Sequence, residues 1–77
     1  MTINDAVAKT NQYRRLIKAA PVTVQFVSHD PNQPILSLAE KWLLYVPGRE
    51  PQLLTAMALH DALYNLRAEA RDYSMNT

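Results

Sequence analysis

Ile35-Leu-Ser-Leu-Ala-Glu-Lys-Trp-Leu-Leu-Tyr-Val46 is the stretch on which the fold turns, because two templates fit it. As a strand, Leu36, Leu38, Trp42, Leu44 and Val46 alternate, with Glu40 interrupting them. As a helix, Ser37-Leu-Ala-Glu40 has capping-box spacing, and Leu38, Trp42 and Tyr45 stack on one side. A mixed reading joins the two: Ile35 and Leu36 pair briefly with a neighbouring strand, and a two-turn helix begins at Ser37. The stretch stays open between β and α.

Upstream the patterns are cleaner. Residues 2–20 predict a helix: Thr2 and Asp5 have capping-box spacing, and Ile3, Ala6, Val7, Thr10, Tyr13, Leu16, Ile17 and Ala20 recur at three-four intervals. Pro21 ends it, because the residue before proline avoids helical angles. Residues 22–28 then alternate as a strand, with Val22, Val24 and Phe26 on one face and Thr23 and Gln25 on the other. His29-Asp30-Pro31-Asn32-Gln33-Pro34 is turn material.

Downstream, Pro47-Gly48-Arg49-Glu50 reads as a turn, and Pro51 suits the first turn of a helix. That helix is expected to run to about Asp72. One flank carries Leu53, Met57, His60, Leu63, Tyr64 and Arg67; the adjoining flank carries Leu59, Ala62, Leu66, Ala70 and Tyr73. Residues 74–77 are expected to fray. The fold class that follows is α+β: a single small domain over residues 1–77, in the order α-β-(β or α)-α, mostly helical with a short strand or hairpin. The strand at 22–28 then has at best one short partner, so its free edge must be covered, paired with a second copy or offered to a partner.

Size and composition narrow the function. Seventy-seven residues make one thin core, and with no cysteine neither a disulfide nor a thiolate zinc site can support it. Oligomerisation is the remaining common support, so a homo-oligomer is expected. No stretch approaches the ~18 apolar residues that span a bilayer, and the first residues lack the pattern of a signal peptide. No membrane association and a cytoplasmic location are the expectation.

Catalytic constellations are weak. His29-Asp30 and His60-Asp61 resemble a split acid–base or metal site, but neighbours on a helix point ~100° apart, and a catalytic zinc needs three ligands. Ser28, Ser37 and Ser74 fall at a strand end, a cap and a tail. The single glycine, Gly48, excludes phosphate-binding glycine loops. A ligand cavity of roughly 300–1,000 Å³ is hard to enclose in so small a core. The expectation is a protein that is not an enzyme and has no cofactor and no metal.

Two surfaces remain as partner-binding candidates. In the densest apolar run, Trp42 and Leu43 are expected in the core and Tyr45 half-exposed; an interface anchor drawn from Trp42, Leu44 and Tyr45 is the functional reading, since Trp and Tyr dominate binding hot spots. On the first helix, Tyr13, Arg14, Arg15 and Lys18 form a basic face with an aromatic border. Residues 1–20 carry four cations against Asp5, a net of +3 that leaves −2 for the remainder. Such a face is either solvated or meets phosphates or acidic protein. Direct DNA readout is disfavoured, because a recognition helix starting Pro51-Gln-Leu-Leu-Thr55 has no arginine or lysine in its first turns.

The expected function is therefore protein–protein interaction. The chain would be a small regulator or inhibitor that occludes a larger protein partner, of the size common among phage and mobile-element regulators. The alternative is a nucleic-acid-binding transcriptional regulator that uses the basic first helix.

Overall fold

The computed structural model describes residues 1–75. Helix α1 spans Ile3–Leu16, and Thr2 caps it by accepting the Asp5 N–H on its hydroxyl at 3.1 Å. It ends four residues earlier than the proline boundary suggests. Lys18 takes a left-handed conformation (φ 57°), and the Ala19 and Lys18 N–H groups close back on the Arg14 and Arg15 carbonyls. This is the paired-bond helix stop that usually carries glycine.

Strand β1, Thr23–His29, pairs antiparallel with β2, Glu40–Tyr45, and β2 pairs antiparallel with β3, Gln52–Thr55. The sheet order is β1-β2-β3. The ambiguous stretch thus contains both elements, in the reverse of the expected order. Leu36–Ala39 forms a single helical turn, α2, and Glu40 onwards is strand. Ser37 does not cap that turn; Ile35 is the N-cap residue and makes no side-chain bond. The outcome has a physical cause: Lys41–Leu44 pairs with a neighbour on each side, which outweighs extending a short helix.

A second correction concerns residues 51–55. They do not begin the last helix; Gln52–Thr55 forms β3. Val46-Pro47-Gly48-Arg49 is a β-turn closed by the Arg49 N–H to the Val46 carbonyl at 3.0 Å, with Gly48 at φ 84°. Pro at the second position and a positive-φ Gly at the third make it a type II turn joining β2 to β3. Pro51 sits just before the edge strand, where its missing N–H is tolerated. Helix α3 then runs Ala56–Met75, and the Thr55 hydroxyl caps it through the Ala58 N–H at 3.1 Å. Ser74 and Met75 are helical, while 76 and 77 lie outside the described residues.

The molecule is α+β, with both long helices on one face of the sheet. Ile3 and Ala6 of α1, Leu59, Leu63 and Leu66 of α3, and Val22, Leu44 and Val46 from the sheet side share one core. The buried leucines Leu44, Leu59 and Leu63 each stabilise it by about 2 kcal/mol. Ile3 and Ala56 line the same cleft, while Thr10 donates to the Leu63 carbonyl at 3.1 Å, so α1 and α3 run in the same direction. Among the described residues, no helix is long and apolar enough to cross a membrane.

Candidate functional site

Register in the sheet sorts the apolar run by face. Phe26 faces Trp42 and Trp42 faces Leu54, while Gln25 faces Leu43 and Leu43 faces Leu53. Side chains alternate along a strand, so Trp42, Leu44 and Val46 point to the helices, whereas Leu43 and Tyr45 lie on the open face. Two expectations are corrected here. Leu44, offered as a partner contact, is only 2 % exposed and belongs to the core. Leu43, expected in the core, lies on the open face. Trp42 and Tyr45 occupy opposite faces and cannot serve one contact surface together.

Tyr45 is half-exposed, as its position in the run suggests, and donates its hydroxyl to Gln25 Oε1 at 3.1 Å. Leu53, 60 % exposed, continues the apolar strip across the open face.

Trp42 belongs to a more concave region. Its ring meets Phe26 edge-on, with centroids 5.4 Å apart and planes at 78°, the arrangement that aligns a positive ring edge with a negative face. A cleft of about 670 Å³ opens beside it, between the start of α1 (Thr2, Ile3), α2 (Leu36), β2 and the start of α3 (Ala56, His60). Leu36 stands at its rim, 61 % exposed. The cleft reaches the volume thought hard to enclose in a chain this short, because it is an open groove between elements rather than a cavity within the core. Trp42 Nε1 is the one buried side-chain nitrogen or oxygen without a hydrogen-bond acceptor among the described residues.

Leu36, Ala56 and His60 escaped sequence reasoning as members of this site. The available signal was Ile35-Leu36 directly after Pro34, two large apolar residues with no strand or helix long enough to bury them.

At the other end of α1 the basic residues divide. Arg14 Nε donates to the Ala20 carbonyl at 2.9 Å and so helps hold the exit from the helix. Arg15 and Lys18 are exposed; Tyr13 is half-buried and shares a shallow groove with Lys9, Gln12 and Leu16. The Ala20 carbonyl is neutral, so Arg14 keeps its charge and the bond only fixes where that charge lies.

His29 ends β1 opposite Glu40, and His60 lines the Trp42 cleft from α3, a cleft that Glu40 also lines. Among the described residues, no group of three or more His, Asp or Glu side chains is placed to hold a metal ion. Comparison of the chain with protein-family models, with curated proteins and with solved structures finds no match.

Proposed function

We propose that this protein is a protein-interaction module, a small regulator or inhibitor that occludes a larger partner by taking an apolar segment of it into the Trp42 cleft. The observation that carries this reading is the cleft itself, walled by Ile3, Leu36, Trp42 and Ala56. An apolar groove with an aromatic wall and a few polar groups at its rim suits a side chain from a partner, and Trp is among the commonest residues at such centres. The basic end of α1, with Arg15 and Lys18 exposed, would speed encounter with an acidic partner while the cleft supplied the affinity.

The test uses immobilised protein and a lysate of the native host. A partner should be retained by the wild type and lost with Leu36→Asp and with Ser37→Arg, both at the rim, while circular dichroism stays unchanged. Equal retention by wild type and both variants would remove the cleft from the function. Sequence-specific duplex DNA binding that survives physiological salt would replace the reading with a nucleic-acid one.

A further inference from the structure

Among the described residues, strand β1 borders no strand on its outer side, and three observations define what that edge can pair with. The first is that Asn11 occupies Val22: its Nδ2 donates to the Val22 carbonyl at 3.0 Å and its Oδ1 accepts the Val22 N–H at 2.8 Å. The Val22 backbone groups therefore point away from β2. In an antiparallel strand these directions alternate, so the N–H and C=O of Val24 and Phe26 also point to the outer edge, and those of Thr23 and Gln25 point to β2. Among the described residues, no side chain or loop bonds to the backbone of Val24 or Phe26. The second observation is the bulge between Phe26 and Ser28, which breaks the regular pattern there. Between the Asn11 block and the bulge, two residues offer regular unpaired backbone groups.

The third observation concerns what natural edges usually carry. Charged side chains and proline on an edge strand discourage pairing with another chain. Residues 23–28 contain neither, and Phe26 and Val27 are 48 % and 46 % exposed.

We infer that β1 pairs antiparallel with β1 of a second copy, about a two-fold axis through Gln25, to make a continuous six-stranded sheet. An isologous pairing must place a residue opposite itself. Centred on Val24 it would need Phe26 to bond to Val22, which Asn11 already holds. Centred on Phe26 it would run into the bulge. Centred on Gln25 it sets Val24 opposite Phe26 of the second copy, twice, and each pair exchanges both backbone bonds. The same register lays Val24 against the exposed Phe26 ring on the helix side.

The chain is more extended than a compact domain of its length, with the 20-residue α3 as its long element. Its Cα radius of gyration is 13.2 Å against about 11.5 Å for a compact domain of this length. Its surface is 5241 Å², against about 4,800 Å² for a compact monomer of this mass.

The absence of cysteine makes the test clean. Opposed residues that do not exchange backbone bonds bring their Cα atoms about 4.5 Å apart, within reach of a disulfide. Under mild oxidation Gln25→Cys should give a covalent dimer in high yield, while Leu53→Cys, on the opposite edge strand, should not. In sedimentation equilibrium the wild type should self-associate as concentration rises, and Phe26→Lys should shift the association at least tenfold weaker without changing the circular dichroism spectrum. A wild-type monomer at millimolar concentration overturns the inference, as does cross-linking at Leu53→Cys with none at Gln25→Cys. Should Phe26→Lys fail to fold, the cross-linking pair decides alone.

Discussion

Asn11 holds both backbone groups of Val22, standing in for a neighbouring strand at the point where the chain enters the sheet. Val22 is almost fully buried, so water cannot easily replace those bonds. Asn11→Ala should therefore cost about 2 kcal/mol, more than a typical exposed hydrogen bond, because it orphans a donor and an acceptor at once. Asn11→Asp should recover part of this, since a carboxylate still accepts the N–H but faces the carbonyl without a donor. Urea denaturation measures both; a loss below about 0.5 kcal/mol for Asn11→Ala would show that Val22 finds other partners.

Two positive-φ residues predict stability changes of opposite sign. Gly48 sits at φ 84°, and a Cβ added there would meet nothing within 4 Å, so Gly48→Ala suffers no clash and bears only the strain of the left-handed backbone. A loss of about 1 kcal/mol is expected. Lys18 already bears that strain at the end of α1, and Lys18→Gly should gain about 0.5–1 kcal/mol by relieving it. In thermal melts each kcal/mol moves the midpoint by about 4–8 °C in a domain of this size. Shifts of the same sign in both variants would contradict this account.

Trp42 offers a third measurement. Its unpaired Nε1 costs about 1–3 kcal/mol while it stays buried. Trp42→Phe removes that donor and keeps an aromatic ring beside Phe26, so the loss should stay within about 1 kcal/mol. Trp42→Ala should cost about 3 kcal/mol, because the ring packing goes as well. If the two variants were equally destabilised in urea, the indole N–H would have to be making a bond.

Local chemistry made part of this fold legible and hid the rest. The Thr2 cap and the alternation of Val22, Val24 and Phe26 appear in the structure because they depend on neighbours in sequence. The split of 35–46 into a turn of helix and a strand depends on pairing with residues 23–29 and 52–55, which periodicity within the stretch does not contain. β3 was missed for a specific reason: Pro51 suits a helix start and an edge-strand start equally, and Thr55, the actual cap, lies four residues later. Pro47-Gly48 as the middle of a type II turn was the stronger signal for a hairpin. Of the candidate contacts, the inward direction of Leu44 and the outward direction of Leu43 follow from register alone, and register is invisible until the partner strand is placed.

The last prediction separates the arginines at the end of α1. Arg14 and Arg15 are adjacent, both lie in the final helical turn, and both favour the negative end of the helix dipole. Of the two side chains, that of Arg14 bonds to the chain beyond the helix, through Nε to the Ala20 carbonyl. Replacing each with Met keeps most of the aliphatic stem, so the dipole contribution is lost from both and the hydrogen bond from one. Arg14→Met should then be less stable than Arg15→Met by about 0.5–1 kcal/mol in chemical denaturation, the usual net worth of one exposed bond. For association with an acidic partner the order should reverse. Arg15 is the more exposed of the two and its side chain is not tied back to the Ala20 carbonyl, so Arg15→Met should slow the on-rate at low salt more than Arg14→Met does, with the difference fading as salt rises. Equal stabilities together with equal on-rates would mean that the Ala20 contact orders nothing and that neither charge steers encounter.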